Sequence, residues 1–319
     1  MGRPGGTDAD VRIVISEFMD EAAVSTLSAR FAVLYDKTLV DRRDELRAQL
    51  RDAAALIVRN RTQVDPDLLA AAPDLRVVGR LGVGLDNIDT EACAARGIEV
   101  IPATGANAQA VAEYVIGTAM ALLRTAYQST AAVADGAWPR PALGEGREIA
   151  GKTLGVVGFG GIGRLTARLA AAVGMHVVGF DPQLGPASSV WAAHGTAPLS
   201  LSELLTQSDV VTLHVPLTRE TRGLIDAARI AQMKPEAIVV NTARGGVVDE
   251  AALARALRAG RLGGAALDVF EREPLPAGSP FAGCPRLILT PHIAGVTRES
   301  NERVSSLIAD KVAAALLQS

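Results

Sequence analysis

The sequence predicts an α/β protein built on two doubly wound parallel sheets, and three observations lead to this prediction. Short apolar runs rich in β-branched residues alternate along the chain with helix-compatible segments. The runs are uniformly apolar, which is typical of strands covered by helices on both faces. The alternation starts twice, near the N-terminus and again after the Gly- and Pro-rich stretch 135–148. With a length of 319 residues, this restart indicates two domains.

The first series of elements is predicted from the apolar runs and the segments between them. Strands are expected at 11–15, 31–35, 55–58 and 75–82, and helices at 20–31, 41–53 and 65–73. A longer helix is expected from Asn107 to about Gln128. Its middle is apolar nearly all round, so we expect this helix to be buried.

The second series begins with a complete βαβ unit at 151–182, which contains a strand, a Gly-rich turn, a helix and a strand. Further strands are expected at 210–214, 237–241, 264–269 and 287–290. The helices between them should have about 10 to 15 residues. A final helix is expected from Thr297 to Gln318.

The composition excludes several classes of function. A net charge of −3 and an aromatic content of 3% provide neither a basic surface nor stacking side chains for nucleic acid. The most apolar stretch, Tyr114 to Leu123, is too short to span a membrane. The first ten residues lack the apolar core of a secretory signal. We therefore expect a cytoplasmic protein with a small-molecule ligand and with neither a nucleic-acid nor a membrane partner.

The two cysteines, Cys93 and Cys284, lie far apart and show neither CxxC nor Cys/His spacing. We expect both to be buried, reduced thiols. The sequence predicts no disulfide framework and no metal site.

A glycine-rich turn in the second series fits a dinucleotide site. Its glycines form GxGxxG between a predicted strand and a predicted helix. The first permits the tight turn, the second lets backbone approach a pyrophosphate, and the third lets helix and strand pack closely. Asp181, at the end of the next strand, would bind ribose hydroxyls and repel a 2′-phosphate, which favours NAD over NADP. The predicted NAD site thus comprises Gly158, Phe159, Gly160, Gly161, Ile162, Gly163 and Asp181.

Four later segments begin where predicted strands end: NTARGG, LDVF, EREP and TPHIAG. Residues just beyond the carboxyl ends of parallel strands line the ligand crevice, so Arg244, Asp268 and His292 should converge. Arginine suits a substrate carboxylate, and histidine suits a proton donor to a developing alkoxide. Glu273 would orient His292 and stabilise its imidazolium. Arg244, Glu273 and His292 are therefore the candidate catalytic residues for hydride transfer to a 2-keto acid.

With these motifs in this order, the sequence resembles the D-isomer-specific 2-hydroxyacid dehydrogenases, a family that includes phosphoglycerate dehydrogenases and glyoxylate/hydroxypyruvate reductases. The resemblance covers nearly the whole chain and rests on the glycine turn, VNTARGGVVDE, ALDVFEREPLP and LTPHIAG. It implies an NAD-dependent oxidoreductase in which Arg244 binds substrate, Glu273 is the partner acid and His292 is the acid/base. Asp268 would face the nicotinamide. The other implied cofactor contacts are His214, Pro216, Thr242, Ala243, His292 and Gly295.

The resemblance also implies substrate contacts in the first series. RLGVGLDN at 80–87 matches the family's substrate loop, where the backbone N–H groups of Val83 and Gly84 would hold the carboxylate opposite Arg244. Asn107 corresponds to a position near substrate and nicotinamide, and it is equally suited to cap a helix. The implied architecture is a discontinuous, flavodoxin-like substrate-binding domain at 1–106 and 296–319. An NAD-binding Rossmann domain at 107–295 is inserted into it.

The group at the far end of the substrate is indicated by Arg59 and Arg61, which follow the strand 55–58. In phosphoglycerate dehydrogenase-like members this loop lies near the substrate's distal end, and two arginines would favour a second anion. The alternative, that one or both are solvated loop charges, stays open. ISEFMDE and VRNRTQ also resemble sulfolactate dehydrogenases. Because sulfur outranks the carboxyl carbon, (S)-3-sulfolactate has the same spatial hand as a D-hydroxy acid.

We therefore expect a dehydrogenase of 3-phosphoglycerate or 3-sulfolactate. The alternatives are a glyoxylate/hydroxypyruvate reductase and a non-enzymatic, NAD-sensing, co-repressor-like protein; the short N-terminus and the lack of extra tails favour an enzyme. Formate dehydrogenase is disfavoured because its site uses a glutamine beside the histidine, where this chain has Glu273.

The resemblance also implies a homodimer formed through the cofactor domain, with 126–148 as an arm. In the chain of 319 residues, 27 follow His292. We therefore expect no appended regulatory domain and no feedback control through one.

Overall fold

The computed structural model describes residues 8–318. Most of the polar N-terminal stretch lies outside the described residues. The elements up to the long helix are β1 (Asp8–Ile15), α1 (Glu21–Ser28), β2 (Phe31–Tyr35), α2 (Arg43–Gln49), β3 (Ala53–Val58), α3 (Pro66–Ala70), β4 (Val77–Arg80), α4 (Thr90–Ala95), β5 (Glu99–Pro102) and α5 (Ala108–Arg124). They are followed by α6 (Thr130–Ala134), α7 (Arg140–Leu143), β6 (Thr153–Val157), α8 (Gly161–Ala172), β7 (His176–Phe180), α9 (Ser189–Ala193), β8 (Ala197–Pro198), α10 (Leu201–Gln207), β9 (Val210–Leu213), α11 (Ala227–Gln232), β10 (Ile238–Asn241), α12 (Glu250–Arg258), β11 (Gly264–Leu267), β12 (Leu287–Leu289) and α13 (Arg298–Gln318).

The first compact unit contains the chain up to Asn107 together with the segment from Val296 onward. Its parallel sheet has the strand order β2-β1-β3-β4-β5, the flavodoxin-like arrangement. All six residues of β3 are buried, because helices cover both faces. The final helix, α13, returns to this sheet and packs Val304, Ile308 and Val312 into its core.

The second compact unit spans Ala108–Gly295 and holds a seven-stranded parallel sheet. Its order, β12-β11-β10-β9-β6-β7-β8, is the doubly wound nucleotide-binding order with one strand added at an edge. The strand order reverses between β6 and β9, and ligands bind beyond the carboxyl ends of strands at such a point. The predicted fold class, two doubly wound parallel sheets, is confirmed.

Aspartate and serine side chains determine where many helices begin. Asp20, Asp65, Asp89, Asp226 and Asp249 each accept a hydrogen bond from a backbone N–H in the first turn of the helix that follows. Before α10, the Ser200 hydroxyl and the Glu203 carboxylate exchange hydrogen bonds with each other's backbone N–H, which forms a capping box. These local signals fix the helix starts independently of the core.

Several predicted boundaries are wrong. The long helix ends at Arg124 rather than Gln128, because Thr125 takes a left-handed backbone conformation with φ 56°. The stretch predicted to be irregular contains α7. The helices α10, α11 and α12 have seven, six and nine residues, shorter than expected, because more of the chain forms strand-end loops.

Two expectations about burial are also wrong. Cys93 is buried, but Cys284 is partly exposed, so the expected burial of the second thiol is wrong. Helix α5 buries nine of its seventeen residues and exposes others such as Met120, so it is buried along one face rather than all round. Within residues 8–318, every helix is too short or too polar to cross a membrane.

Candidate active site

The glycine turn after β6 is shaped by close backbone contacts. Gly158 has φ +91°, and a Cβ there would lie 2.5 Å from the carbonyl oxygen of His214. At Gly163 a Cβ would overlap the carbonyl oxygen of Gly158. Gly160 and Gly161, in contrast, are exposed and have open space around them, and Gly160 is the N-cap of α8. The turn thus offers bare backbone at a helix N-terminus, which is where phosphate groups bind.

Asp181 holds this turn from the next strand. Its Oδ2 accepts a hydrogen bond from the N–H of Phe159 at 2.8 Å, and its Oδ1 accepts one from Gln183 at 2.9 Å. The Phe159 ring is fully buried and lies 4.6 Å from the Trp191 ring, centroid to centroid. Phe159 therefore supports the turn from within rather than facing a ligand. Ile162, in the first turn of α8, is partly exposed.

The residues at this edge of the sheet fit a dinucleotide. The hydroxyl oxygen of Thr242, just after β10, is buried and has no hydrogen-bond partner within the described chain. A buried polar atom without a partner is costly, so this oxygen fits a polar group of a ligand. Next to it Ala243 is buried, whereas Pro216, after β9, is exposed. Together with the open backbone at Gly160, these features match the NAD site expected from the sequence.

His214 follows β9 and lies beside the glycine turn. Its Nε2 is 3.0 Å from the Thr212 hydroxyl. Burial lowers the pKa of His214 from 6.5 to about 4, because the imidazolium would lose its hydration. His214 is therefore neutral at physiological pH.

The candidate acid/base pair is formed by residues from two neighbouring loops. Nδ1 of His292 lies 2.7 Å from Oε2 of Glu273. The other oxygen of Glu273 accepts a hydrogen bond from the N–H of Phe270 at 3.0 Å, which fixes the carboxylate. His292 has φ 56°, a left-handed conformation that is rare for a residue with a side chain and is often stored at functional sites. The structure thus brings together the two residues that the sequence paired.

Asp268 is 1% exposed and holds the loop that carries His292. Its Oδ1 accepts hydrogen bonds from the Thr290 hydroxyl at 2.6 Å and from the N–H of Ile293 at 2.8 Å. Its Oδ2 accepts one from the N–H of Ala294 at 2.8 Å, and its backbone oxygen accepts one from the N–H of His292 at 2.8 Å. Gly295, which completes this segment, is partly exposed. Most of the hydrogen-bonding capacity of Asp268 is therefore directed at residues 290–294.

Arg244 lies at the same edge of the sheet, because β10, β11 and β12 are adjacent and parallel. The buried side chain of Asn241 shapes its loop: Oδ1 accepts from the N–H of Ala243 and Nδ2 donates to the carbonyl of Arg244, both at 3.0 Å. Nη1 of Arg244 donates to the carbonyl of Ala243 at 2.6 Å. Arg244 as a whole is partly exposed, and a guanidinium matches the geometry of a carboxylate.

In the first unit, as at Asp268, a buried carboxylate holds a loop through hydrogen bonds; this loop carries Arg59 and Arg61. Glu17 is 4% exposed, and its carboxylate accepts hydrogen bonds from the N–H groups of Arg59, Arg61 and Thr62 at 2.9, 3.2 and 2.9 Å. The two arginines differ in their surroundings. Arg59 is half-buried, donates to Oδ1 of Asn301 at 2.8 Å and lies 5.7 Å from the centre of the Phe18 ring.

Arg61 is exposed and forms an ion pair with Asp41. The hydrogen bond that Arg61 donates to Asp41 raises the pKa of Arg61. Burial lowers the pKa of Arg59, an effect that the charge of Glu17 partly opposes. The positive charge of Arg61 is therefore balanced by the negative charge of Asp41 at the protein surface.

The other predicted substrate residues of the first unit lie in loops. Val83 and Gly84 follow β4 in a turn, where Val83 is 36% exposed. Asn107 stands just before α5, and its Oδ1 is buried without a hydrogen-bond partner in the described residues. Its side-chain oxygen therefore does not cap the helix, as the alternative interpretation required. The unpaired oxygen fits a polar ligand group.

Four residues that hold these loops were not predicted from the sequence to have individual roles. Three lie at strand ends, Glu17, Asn241 and Thr290; the fourth is Tyr114 in α5, whose hydroxyl lies 2.6 Å from that of Thr290. Glu17, Asn241 and Thr290 lie within segments that were singled out, ISEFMDE, NTARGG and TPHIAG, but the roles of these three side chains were not predicted. A polar side chain within or just beyond an apolar strand was the available signal.

Comparisons with known proteins agree with this arrangement. A family model for the NAD-binding domain of D-isomer-specific 2-hydroxyacid dehydrogenases matches residues 116–294. A protein of Chromohalobacter salexigens named (S)-sulfolactate dehydrogenase is 55% identical over 304 residues, which cover 95% of this chain and 98% of that protein. D-3-phosphoglycerate dehydrogenase of Mycobacterium tuberculosis is 44% identical over 274 residues, 86% of this chain but 51% of that protein. The chain thus spans about half the length of this second relative.

A crystal structure of a protein from Thermus thermophilus superimposes with a TM-score of 0.87 at 36% identity and covers 97% of each chain. The resemblance inferred from the motifs is therefore confirmed. The chain belongs to the D-isomer-specific 2-hydroxyacid dehydrogenase family and is an NAD-dependent 2-hydroxyacid dehydrogenase.

Proposed function

We propose that this enzyme interconverts (S)-3-sulfolactate and 3-sulfopyruvate, with NAD preferred over NADP. The observation that carries the proposal is the unequal state of Arg59 and Arg61: one is half-buried beside a neutral amide, and the other is paired with Asp41 at the surface. The 55% identity to a protein named (S)-sulfolactate dehydrogenase supports the same substrate.

The charge around Arg59 favours a singly charged distal group. The two arginines of the loop are accompanied by two carboxylates, Glu17 and Asp41. The loop as a whole therefore offers little net positive charge. A sulfonate carries one negative charge at neutral pH, whereas a phosphate monoester carries nearly two. Planar donors of Arg59 can bind two sulfonate oxygens, and the Phe18 ring limits the directions in which the guanidinium can turn.

The proton chemistry is assigned to Nε2 of His292. Because Nδ1 faces the Glu273 carboxylate, it keeps its proton, and Nε2 is the nitrogen left for the substrate. In reduction, Nε2–H gives its proton to the developing alkoxide, and Glu273 stabilises the imidazolium before the transfer. In oxidation, neutral Nε2 removes the hydroxyl proton. When bound, NAD supplies the hydride acceptor or donor for the substrate C2.

The remaining predicted residues take binding roles in this proposal. Arg244 binds the substrate carboxylate with its guanidinium, and the backbone of Val83 and Gly84 donates hydrogen bonds to the same group. The buried oxygen of Asn107 accepts from a polar group of substrate or cofactor. NAD is held by the glycine turn 158–163 and by the contacts Asp181, His214, Pro216, Thr242, Ala243, Asp268, His292 and Gly295.

We also propose that the first unit is the substrate-binding domain and that the protein is a homodimer. The segment 126–148 supports a dimer because it exposes large apolar side chains, Val133 and Trp138, the latter 75% exposed. Light scattering on the protein and on Trp138→Glu checks this. A dimer mass for the first and a monomer mass for the second are expected.

The substrate is tested with a kinetic panel on two matched arginine variants. With NADH, we expect the highest kcat/KM on 3-sulfopyruvate among that compound, 3-phosphohydroxypyruvate, hydroxypyruvate and glyoxylate. Arg59→Met should lower kcat/KM on 3-sulfopyruvate about 10- to 100-fold, because a charge-assisted hydrogen bond contributes about 1.5–3 kcal/mol. Arg61→Met should change kcat/KM on 3-sulfopyruvate less than about threefold, because the Arg61 side chain is paired with Asp41 at the surface rather than with the substrate. Glyoxylate should respond to neither variant.

Other outcomes of the panel point to the alternatives. Best efficiency on 3-phosphohydroxypyruvate, with equal losses in both variants, would assign a doubly charged substrate held by both arginines. Best efficiency on glyoxylate would make the enzyme a glyoxylate reductase. No turnover on any compound, with NADH still bound, would indicate the non-enzymatic NAD sensor.

A further inference from the structure

Two hydroxyl groups connect helix α5 to the loop that carries His292. The phenol oxygen of Tyr114 lies 2.6 Å from the hydroxyl oxygen of Thr290, and that hydroxyl lies 2.6 Å from Oδ1 of Asp268. All three side chains belong to the second unit. The contact joins residues 176 positions apart in the chain.

The direction of the hydrogen bonds follows from the chemistry of the three groups. Thr290 has one hydroxyl proton, which it donates to the Asp268 carboxylate. The Thr290 oxygen is then an acceptor, so the Tyr114 hydroxyl is the donor to it. Burial raises the pKa of Tyr114; the hydrogen bond with Thr290 opposes this shift, and the negative charge of Asp268 adds to it, so that the pKa stays above its usual value. The phenol therefore keeps the proton that this arrangement requires.

The end of this chain of hydrogen bonds determines where the His292 backbone lies. Asp268 accepts from the N–H groups of Ile293 and Ala294 through its carboxylate, and from His292 through its backbone oxygen. His292 itself is held in a left-handed conformation, φ 56°, which needs external support. The Asp268 carboxylate supplies that support, because it accepts hydrogen bonds from Thr290, which precedes His292, and from Ile293 and Ala294, which follow it.

We propose that Tyr114 is a positioning residue for His292, acting through Thr290 and Asp268. Tyr114 reaches the loop of His292 through its hydrogen bond to the Thr290 hydroxyl. It orders the Thr290 hydroxyl, which completes the hydrogen bonding of Asp268, which in turn fixes the backbone of 290–294. This inference rests on the acid/base role proposed for His292, and it holds for any 2-keto acid the enzyme reduces.

The first test observes the imidazole of His292 directly. The chain has four histidines, so nitrogen–proton NMR of a ¹⁵N-histidine-labelled sample gives few signals, and His292→Asn identifies the one of interest. In Tyr114→Phe we expect the signal of the Nδ1 proton facing Glu273 to shift and broaden, because the loop samples more positions. Thr290→Val should broaden it further. Thr290→Ser keeps a hydroxyl and should restore the native signal.

The second test is kinetic. Tyr114→Phe should lower kcat about three- to tenfold on the best keto acid and raise the solvent deuterium isotope effect on kcat, while the Kd of NADH stays within twofold. Thr290→Ser should stay within about threefold of the parent enzyme. Tyr127→Phe controls for the loss of a phenol hydroxyl. It keeps the aromatic ring in the segment 126–148 that we assign to the dimer, so light scattering should still give the dimer mass, and neither readout should change.

The outcomes separate the two proposals. An unchanged His292 signal and an unchanged isotope effect in Tyr114→Phe would overturn the positioning role. A displaced His292 signal in Tyr114→Phe, combined with full activity of His292→Asn, would keep the positioning role and remove the acid/base role of His292.

Discussion

The loops carrying Arg59 and His292 belong to different sheets but are held in the same way. In each case a buried carboxylate lies just beyond one strand and accepts three hydrogen bonds from the loop that follows the neighbouring strand. Glu17, after β1, holds the loop after β3 through three backbone N–H groups. Asp268, after β11, holds the loop after β12 through two backbone N–H groups and one hydroxyl.

We call each of these carboxylates, together with the loop it holds, a clamp. The Glu17 clamp and the Asp268 clamp differ in the side chain that the held loop carries. The Glu17 clamp orders a loop whose half-buried cation can only bind, so damage to it should appear in KM. The Asp268 clamp orders His292, the residue to which we assign proton transfer, so damage to it should appear in kcat. The hydroxyl among its donors also links it to a further side chain, Tyr114. A buried carboxylate at a strand end is therefore a general way to fix a loop, and the loop decides which kinetic constant depends on it.

The largest effect is expected when the Asp268 clamp is broken. Asp268→Asn replaces one acceptor oxygen with an NH₂ group that faces donors, so at least one buried N–H loses its partner. We expect kcat to fall about 100-fold or more, with a loss of about 1–3 kcal/mol in the free energy of unfolding. Stopped-flow turnover and urea denaturation measure both.

Asp226→Asn is the matched control for that substitution, because asparagine caps a helix as well as aspartate does and Asp226 caps α11. It should leave kcat unchanged. If Asp268→Asn raises KM and leaves kcat intact, the assignment of this clamp to proton transfer is wrong.

Glu17→Gln should have a smaller effect than Asp268→Asn, and it should change KM rather than kcat. Its amide also turns a donor toward the N–H groups of Arg59, Arg61 and Thr62, so the loop loosens. The KM for 3-sulfopyruvate should rise about tenfold while kcat changes less than twofold, as measured in initial-rate assays. Glyoxylate, which lacks a distal anion, should be insensitive. The exposed Glu21, in the first turn of α1, provides the control Glu21→Gln. Equal losses on both substrates would show that Glu17 supports the domain as a whole rather than Arg59.

The two clamps also show how far the sequence alone could lead. Uniformly apolar runs and the glycine turn predicted both sheets, because these signals are local and repeat along the chain. His292 and Glu273 were paired because each follows a strand in a recognisable segment. The clamps themselves depend on contacts between distant segments: Glu17 meets Arg59 across 42 positions, and Tyr114 meets Thr290 across 176. Periodicity and spacing carry no information about such contacts.

The two arginines illustrate the same limit within three residues of sequence. Arg59 and Arg61 look equivalent in RNRT, so the sequence left open whether both bind an anion or whether one or both are solvated charges. Only the fold shows that Asp41 reaches Arg61 and that Asn301, from α13, reaches Arg59.

Asp181 is a third strand-end carboxylate and differs from Glu17 and Asp268, because within the described residues its carboxylate accepts two backbone hydrogen bonds rather than three hydrogen bonds. The remaining acceptor capacity is available to a ribose. Asp181→Ser should therefore raise the ratio of NADP to NAD efficiency about tenfold or more, since the charge that repels a 2′-phosphate is removed. Steady-state kcat/KM with each cofactor measures the ratio. A ratio that stays the same would show that Asp181 only holds its loop and does not bind the ribose.

The smallest effect is expected at His214, which also lies at a strand end but is a base, unlike the three carboxylates. Burial lowers the pKa of His214 to about 4. The unfolded chain binds a proton there near pH 6.5, so the unfolded state is favoured as the pH falls from 6.5 toward 4. At pH 5 this linkage should cost the apoprotein about 2 kcal/mol relative to pH 8. His214→Gln should lack that part of the loss, whereas substitution of the exposed His176 should leave it in place. Urea denaturation at pH 8, 6 and 5 gives the three curves, and parallel curves for the parent and His214→Gln would mean that His214 titrates normally in the folded protein.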